Sequence, residues 1–121
     1  MRSKRFRVTA LVCACLMLIA MSTFAAERPA KRGSITDYGC NCGIHGSAAY
    51  TDSDEIGSIS SSFTGEVWIA GLGDYESTSN SHYTVGMHSY CSDSYETALQ
   101  GHIDATHVYN DITRTSSSDL G

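Results

Sequence analysis

The chain has 121 residues, of which 41% are apolar and 17% charged, with five cysteines, one proline and a formal charge of −5. This length allows one domain and excludes a multi-domain enzyme or a doubly wound dinucleotide-binding fold. From Gly33 onward, Arg114 is the only lysine or arginine against twelve carboxylates. Such a surface repels phosphate, so nucleic acid is not an expected partner.

The first residues have the pattern of an export signal. Residues 1–7 (MRSKRFR) are cationic, and residues 8–21 form an apolar run of fourteen residues. A helix of that length rises about 21 Å, too little for a bilayer core of about 30 Å. Small side chains in Thr23-Phe24-Ala25 predict cleavage after Ala25. Residues 1–25 are therefore predicted to be a signal peptide of a secreted protein, with an uncleaved anchor as the alternative and no membrane span after cleavage.

The segment after the predicted cleavage site is expected to be a flexible tether, residues 26–35. It contains the only proline, Pro29, and a dibasic pair, Lys31-Arg32. The pair is either a processing site or part of an ordinary exposed terminus. At the other end, the Ser-rich residues 113–121 are predicted to be a frayed tail, which leaves residues 36–112 as the folded domain.

Residues from Gly33 onward contain 16 Ser, 9 Thr and 11 Gly and no sustained helical period of apolar residues. Residues 47–50, 56–63 and 65–71 are predicted strands, with a turn at 52–55 and a polar loop at 76–81. Trp68 lies in the third of these and is expected to be largely buried. About five short strands predict an all-β domain, either a small antiparallel β-sandwich or a flattened barrel.

The clearest alternation by two lies further along the chain. Odd positions of residues 83–91 and 95–109 are mostly apolar, and even positions are mostly polar. Ser92-Asp93-Ser94 between them has the composition of a turn. These two stretches are therefore predicted to pair as one long antiparallel hairpin.

Three cysteines remain after signal cleavage: Cys40, Cys42 and Cys91. Export favours disulfide formation, and a bridge between Cys40 and Cys42 would close a small, strained ring. We expect Cys91 to pair with Cys40 or Cys42, enclosing about 50 residues and stabilising the fold by about 3–4 kcal/mol. The third thiol is then free, intermolecular or exchanging. A redox motif or half of a metal site are the alternatives for Cys40 and Cys42.

Histidines offer a candidate metal site. In the predicted hairpin, His88 and His102 are cross-strand neighbours with Asp104 close by, a set that zinc or copper can use. Cys40, Cys42 and His45 form a second, weaker set. The competing interpretation is solvated surface histidines, and since no metal-binding motif is present we expect no metal and no cofactor.

Catalysis is not expected, because no G-x-S-x-G or metalloprotease motif occurs and the serines are too abundant to single one out. Exposed tyrosines on a Ser/Gly background are typical of protein or glycan recognition at a cell surface; they are Tyr38, Tyr50, Tyr75, Tyr90 and Tyr95. The predicted function is binding, as a bacteriocin-like, toxin-like or surface-interaction module. The alternative is an extracellular metal binder that uses the hairpin histidines.

The crowded carboxylates also predict how stability changes with pH. Mutual repulsion raises carboxylate pKa values in the folded state, so stability should rise as pH falls from 7 toward 5. Negative surroundings should favour protonated histidines as well, and we expect His82, His88, His102 and His107 to reinforce the trend.

Overall fold

The computed structural model describes residues 33–121; the predicted signal peptide and most of the predicted tether lie outside this part. Residues 33–121 form five antiparallel strands and contain no helix, and so no helix that could span a membrane. The strands are β1 (Ile35–Cys42), β2 (Gly46–Ile69), β3 (Asp74–Ser94), β4 (Ala98–Tyr109) and β5 (Ile112–Leu120). The prediction of an all-β domain is confirmed.

The central strand is β2. It pairs with β3 along one side, and on the other side with β1 through its first half and with β4 through its second half. Ser61, for example, lies between His82 of β3 and His107 of β4. The predicted hairpin of residues 83–109 is therefore wrong, because β3 and β4 are separated by β2. Alternation identified both strands, but it carries no information about which strand is the partner.

Both long strands bend, and the sheet curls on itself. Between Asp52 and Gly57 the pairing of β2 with β3 loses its register. The hydroxyl Oγ atoms of Thr51 and Ser61 are 2.8 Å apart, although ten residues of straight strand would separate them by about 33 Å. The bend replaces the turn predicted at 52–55. Two halves of one sheet thus face each other, and the predicted small antiparallel sandwich or flattened barrel is confirmed.

The core lies between the two halves. Ile59, Phe63, Val67 and Ile69 of β2 are at most 2% exposed. The last three pack with Ala49 of the same strand and with buried residues of the other strands: Cys42, Cys91, Ala98, Ile103 and Ala105. Because Val67 and Ile69 face the core, Trp68 between them points outward and is only half-buried. Trp68 therefore lies outside the core between the two halves of the sheet, and its side chain is partly buried on the outer surface.

The chain from 113 to 121 is not a frayed tail. Residues 112–120 form β5, which pairs with β4 from Tyr109 to Gly101. The loop predicted at 76–81 is likewise part of β3. Hydroxyl side chains of β5 also reach β1, since Ser118 Oγ accepts a 2.9 Å hydrogen bond from Cys42 N and Ser116 Oγ donates to Cys40 Sγ at 3.2 Å. The β1 and β5 edges of the curled sheet therefore meet.

Candidate binding face

The outer surface of the second half of the sheet carries a group of aromatic and polar side chains. Odd residues of β2 and β4 fill the core here, so the even residues point outward. The register then aligns two rows across the strands: Tyr75–Trp68–Gln100, and Glu66–His102–Asp119. We call these six residues, Glu66, Trp68, Tyr75, Gln100, His102 and Asp119, the cleft face.

A glycine sets the distance between β2 and β4 beneath the cleft face. A Cβ atom at Gly65 would lie 2.1 Å from the backbone oxygen of His102 and 2.7 Å from Ile103 Cα. Backbone cannot give way as a flexible side chain can, so this position requires glycine. Glu66 and His102 are brought side by side as a result.

Two aromatic rings form one end of the face. The ring centroids of Trp68 and Tyr75 are 5.1 Å apart and the ring planes are inclined by 78°, an edge-to-face arrangement that aromatic pairs favour. The pair fixes the orientation of Tyr75, which is 50% exposed. A rigid, half-exposed aromatic ring is therefore presented to solvent.

His102 lies between two carboxylates. Its Nδ1 is 2.5 Å from Asp119 Oδ1 and its Nε2 is 3.0 Å from Asp104 Oδ1. The hydrogen bond to Asp119, followed by that to Asp104, raises the pKa of His102 above its ordinary value. An imidazolium donates through both nitrogens, so protonated His102 satisfies both carboxylates and is held in one orientation.

A shallow cleft of about 560 Å³ opens on this face. Its walls include the side chains of Glu66, Tyr75, Gln100, His102 and Asp119. Within residues 33–121, neither the Glu66 carboxylate nor the Gln100 amide has a hydrogen-bond or ion-pair partner. The cleft thus combines an aromatic surface with polar groups that are available to a ligand.

The residues predicted as a metal site are only partly brought together. His102 and Asp104 are adjacent, but His88 pairs with Asp52 in the first half of the sheet. The cross-strand contact expected between His88 and His102 does not form, because the hairpin that would have produced it is absent. In the described part of the chain, no three His, Cys, Asp or Glu side chains are arranged to hold a metal ion.

The three cysteines of the described chain are free thiols. Ala49 pairs with Cys40 on one side and Cys91 on the other, which separates their Cα atoms by two strand spacings, about 9–10 Å. Disulfides need Cα atoms about 4.4–6.8 Å apart. Cys42 pairs with Ser47, two residues before Ala49 on β2, which places it still further from Cys91. The register therefore brings Cys91 within disulfide distance of neither predicted partner.

A buried histidine links the two halves of the sheet. His107 is 0% exposed; its Nδ1 is 3.0 Å from Thr51 Oγ1 and its Nε2 is 2.7 Å from Ser116 Oγ. The ring centroid of Tyr38 lies 5.0 Å from that of His107. Burial lowers the pKa of His107, contrary to the expectation that it would be readily protonated. The imidazole of His107 thus joins a hydroxyl of the first half of the sheet to one of β5.

The first half of the sheet has an outer surface of similar composition, which we call the opposite face: Asp37, Tyr50, Asp52, His88 and Tyr90. Here each carboxylate has a partner, since Tyr50 Oη donates a 3.1 Å hydrogen bond to Asp37 Oδ1 and His88 Nδ1 bonds Asp52. Tyr50 lies across Gly39, where a Cβ atom would be 3.2 Å from its ring. The two carboxylates of the opposite face are therefore already bonded within the protein.

Comparison with known proteins gives no match: no protein-family model, no curated protein and no solved structure matches the chain.

Proposed function

We propose that this protein is a small secreted binding module that acts without catalysis and recognises a carbohydrate of the cell surface through the cleft face. The observation that supports this most strongly is the Trp68–Tyr75 pair beside a cleft with an unpartnered carboxylate and amide. The predicted partners were protein or glycan, and the cleft favours the glycan.

The aromatic pair suits the apolar side of a sugar ring. A pyranose presents C–H groups on one side, and these pack against an exposed aromatic ring. Tyr75 is half-exposed and is held by Trp68, so little conformational entropy is lost when a ligand packs on it.

The polar groups suit the hydroxyls at the rim of a sugar. Glu66 accepts two or more hydrogen bonds, and Gln100 both donates and accepts. His102 is held by Asp119 and Asp104, which gives the cleft a fixed polar wall. Few, well-placed polar groups beside an apolar surface are typical of a small-ligand site.

The test is isothermal titration calorimetry with cellohexaose, xylohexaose, maltohexaose and N-acetylchitohexaose. We expect at least one to bind, and Tyr75→Ala to weaken that binding about tenfold, since an aromatic contact of about 1–1.5 kcal/mol is lost. Glu66→Gln should weaken it by a similar factor through loss of a charged acceptor.

Tyr90→Ala is the matched control, because Tyr90 is 51% exposed on the opposite face and should leave the affinity unchanged. Binding of none of the four oligosaccharides, or equal weakening by Tyr75→Ala and Tyr90→Ala, would contradict the proposal.

Secretion is tested separately. The cationic segment 1–7, the apolar run 8–21 and Thr23-Phe24-Ala25 support cleavage after Ala25. Intact-mass analysis of culture supernatant should reveal a product that begins at Ala26. Recovery of only the full-length chain, in the membrane fraction, would contradict secretion.

A further inference from the structure

The two edges of the curled sheet differ in the strands that border them. On one side, β1 and β5 meet through Cys42 N with Ser118 Oγ and through Cys40 Sγ with Ser116 Oγ. On the other side, β3 pairs with β2 alone over its whole length of 21 residues. Within residues 33–121, no second strand covers the outer edge of β3. Side chains join the two halves of β3, since Asn80 Nδ2 donates to Ser92 O and Ser89 Oγ donates to His82 O.

The sequence of β3 also lacks the lysine and proline that often protect an edge strand. Proteins usually place lysine, proline or inward charge on such an edge, because unpaired backbone groups recruit other strands. Residues 74–94 contain no lysine, arginine or proline. Near its centre the strand exposes two large apolar side chains, Tyr83 at 66% and Val85 at 64%.

Charge determines which strand can approach this edge. A second copy of the domain carries the same twelve carboxylates against one arginine and is repelled. Asp74 and Glu76, at the start of β3, instead attract a cationic chain. Apolar Tyr83 and Val85 lie about eight residues further along, near the centre of β3.

We propose that an extended segment of a partner protein, apolar at one end and basic at the other, adds to the free edge of β3 as an antiparallel strand. Main-chain hydrogen bonds supply much of the affinity in this mode of recognition, and side chains at the ends fix the register. Apolar residues of the partner lie beside Tyr83 and Val85, and basic residues beside Glu76. This site uses the outer edge of β3 and does not depend on carbohydrate binding, although Tyr75 of the cleft face lies between Asp74 and Glu76 on the same strand.

The test uses two synthetic peptides, Ac-VTVTSTSTKK-NH2 and the charge-reversed Ac-VTVTSTSTEE-NH2, with fluorescence anisotropy at low salt. We expect the lysine peptide to bind at least tenfold more tightly than the glutamate peptide, and raising salt to about 0.5 M to remove most of that difference. Val85→Lys should weaken binding at least fivefold, because it places a protective charge on the edge.

Leu99→Lys is the matched control, since Leu99 is 57% exposed on β4, away from this edge, and should leave binding unchanged. Equal binding of the two peptides, or equal effects of Val85→Lys and Leu99→Lys, would overturn the proposal. So would dimerisation of the protein alone that Val85→Lys abolishes in sedimentation velocity, since the occupant would then be a second copy.

Discussion

The cleft face and the opposite face have nearly the same ingredients and a different arrangement. Each combines tyrosine, histidine and two or more carboxylates on the outside of one half of the sheet. On the opposite face the carboxylates of Asp37 and Asp52 are used by Tyr50 and His88. On the cleft face Glu66 and Gln100 remain available beside a cleft. The two faces therefore differ in whether their polar groups are free to bind a ligand, and not in their composition.

The largest loss of stability is expected on substitution of His107, the buried residue that joins the two halves of the sheet. His107→Ala removes a buried ring and leaves Thr51 and Ser116 without their shared partner. It should destabilise the domain by about 2–5 kcal/mol. Urea denaturation measures the change, and His88→Ala on the opposite face is the control, with an expected change below about 1 kcal/mol.

A smaller loss of stability is expected for a substitution at Gly65, beneath the cleft face. Gly65→Ala forces β2 and β4 apart, since the added Cβ meets the His102 carbonyl, and should cost about 1–3 kcal/mol. Gly86→Ala is the matched control, because an added Cβ there meets nothing within 4 Å. Equal denaturation midpoints for the two variants would contradict the close approach of β2 and β4 in the structure.

The two histidines that differ most in environment should give opposite dependences on pH. Burial lowers the folded-state pKa of His107, so its contribution to stability is present above about pH 6.5 and is lost as pH falls. Hydrogen bonds to Asp119 and Asp104 raise the folded-state pKa of His102. The contribution of His102 to stability is therefore present in acid and is lost as pH rises through this raised pKa.

Thermal denaturation between pH 5 and 8 separates the two contributions. Without the titrating imidazole, the His107→Gln variant should lose less stability than the wild type between pH 8 and pH 5. The His102→Gln variant should instead lose more stability than the wild type over the same range. If both substitutions shifted the profile in the same direction, the assignment of one buried and one ion-paired histidine would be wrong. The same scan tests the carboxylate repulsion predicted from the sequence.

The different environments of His102 and His107 also illustrate which features of β4 could be predicted from the sequence. The alternation over residues 101–109 places the buried Ile103, Ala105 and His107 on one face and the exposed His102 and Asp104 on the other, as observed. It could not reveal that β4 pairs with β2 instead of β3, because either partner satisfies the same alternation. The cleft face depends on that pairing, since Glu66 and Asp119 reach His102 from different strands.

Two further errors have a common physical cause. Residues 76–81 and 113–121 were predicted to be loop and tail because Ser, Asn and Asp favour turns. Both are edge strands, held in place by the neighbouring β2 and β4 ladders. Tertiary pairing overrode local preference in each case.

The smallest effect is expected on the opposite face. Asp52→Asn removes the carboxylate partner of His88 at the surface and should change stability by no more than about 1 kcal/mol. It should leave oligosaccharide binding by the cleft face unchanged in calorimetry. A loss of binding comparable with that of Glu66→Gln would mean that the two faces are not functionally distinct.

The most direct test of this account is an ¹⁵N chemical-shift map of the protein titrated with the oligosaccharide that binds best in calorimetry. The account predicts perturbations concentrated at Glu66, Trp68, Tyr75, Gln100 and His102, with the side-chain amide of Gln100 among the most affected signals. Tyr50, His88 and Tyr90 should stay unperturbed. Perturbations centred on the opposite face, or spread evenly over both, would contradict it.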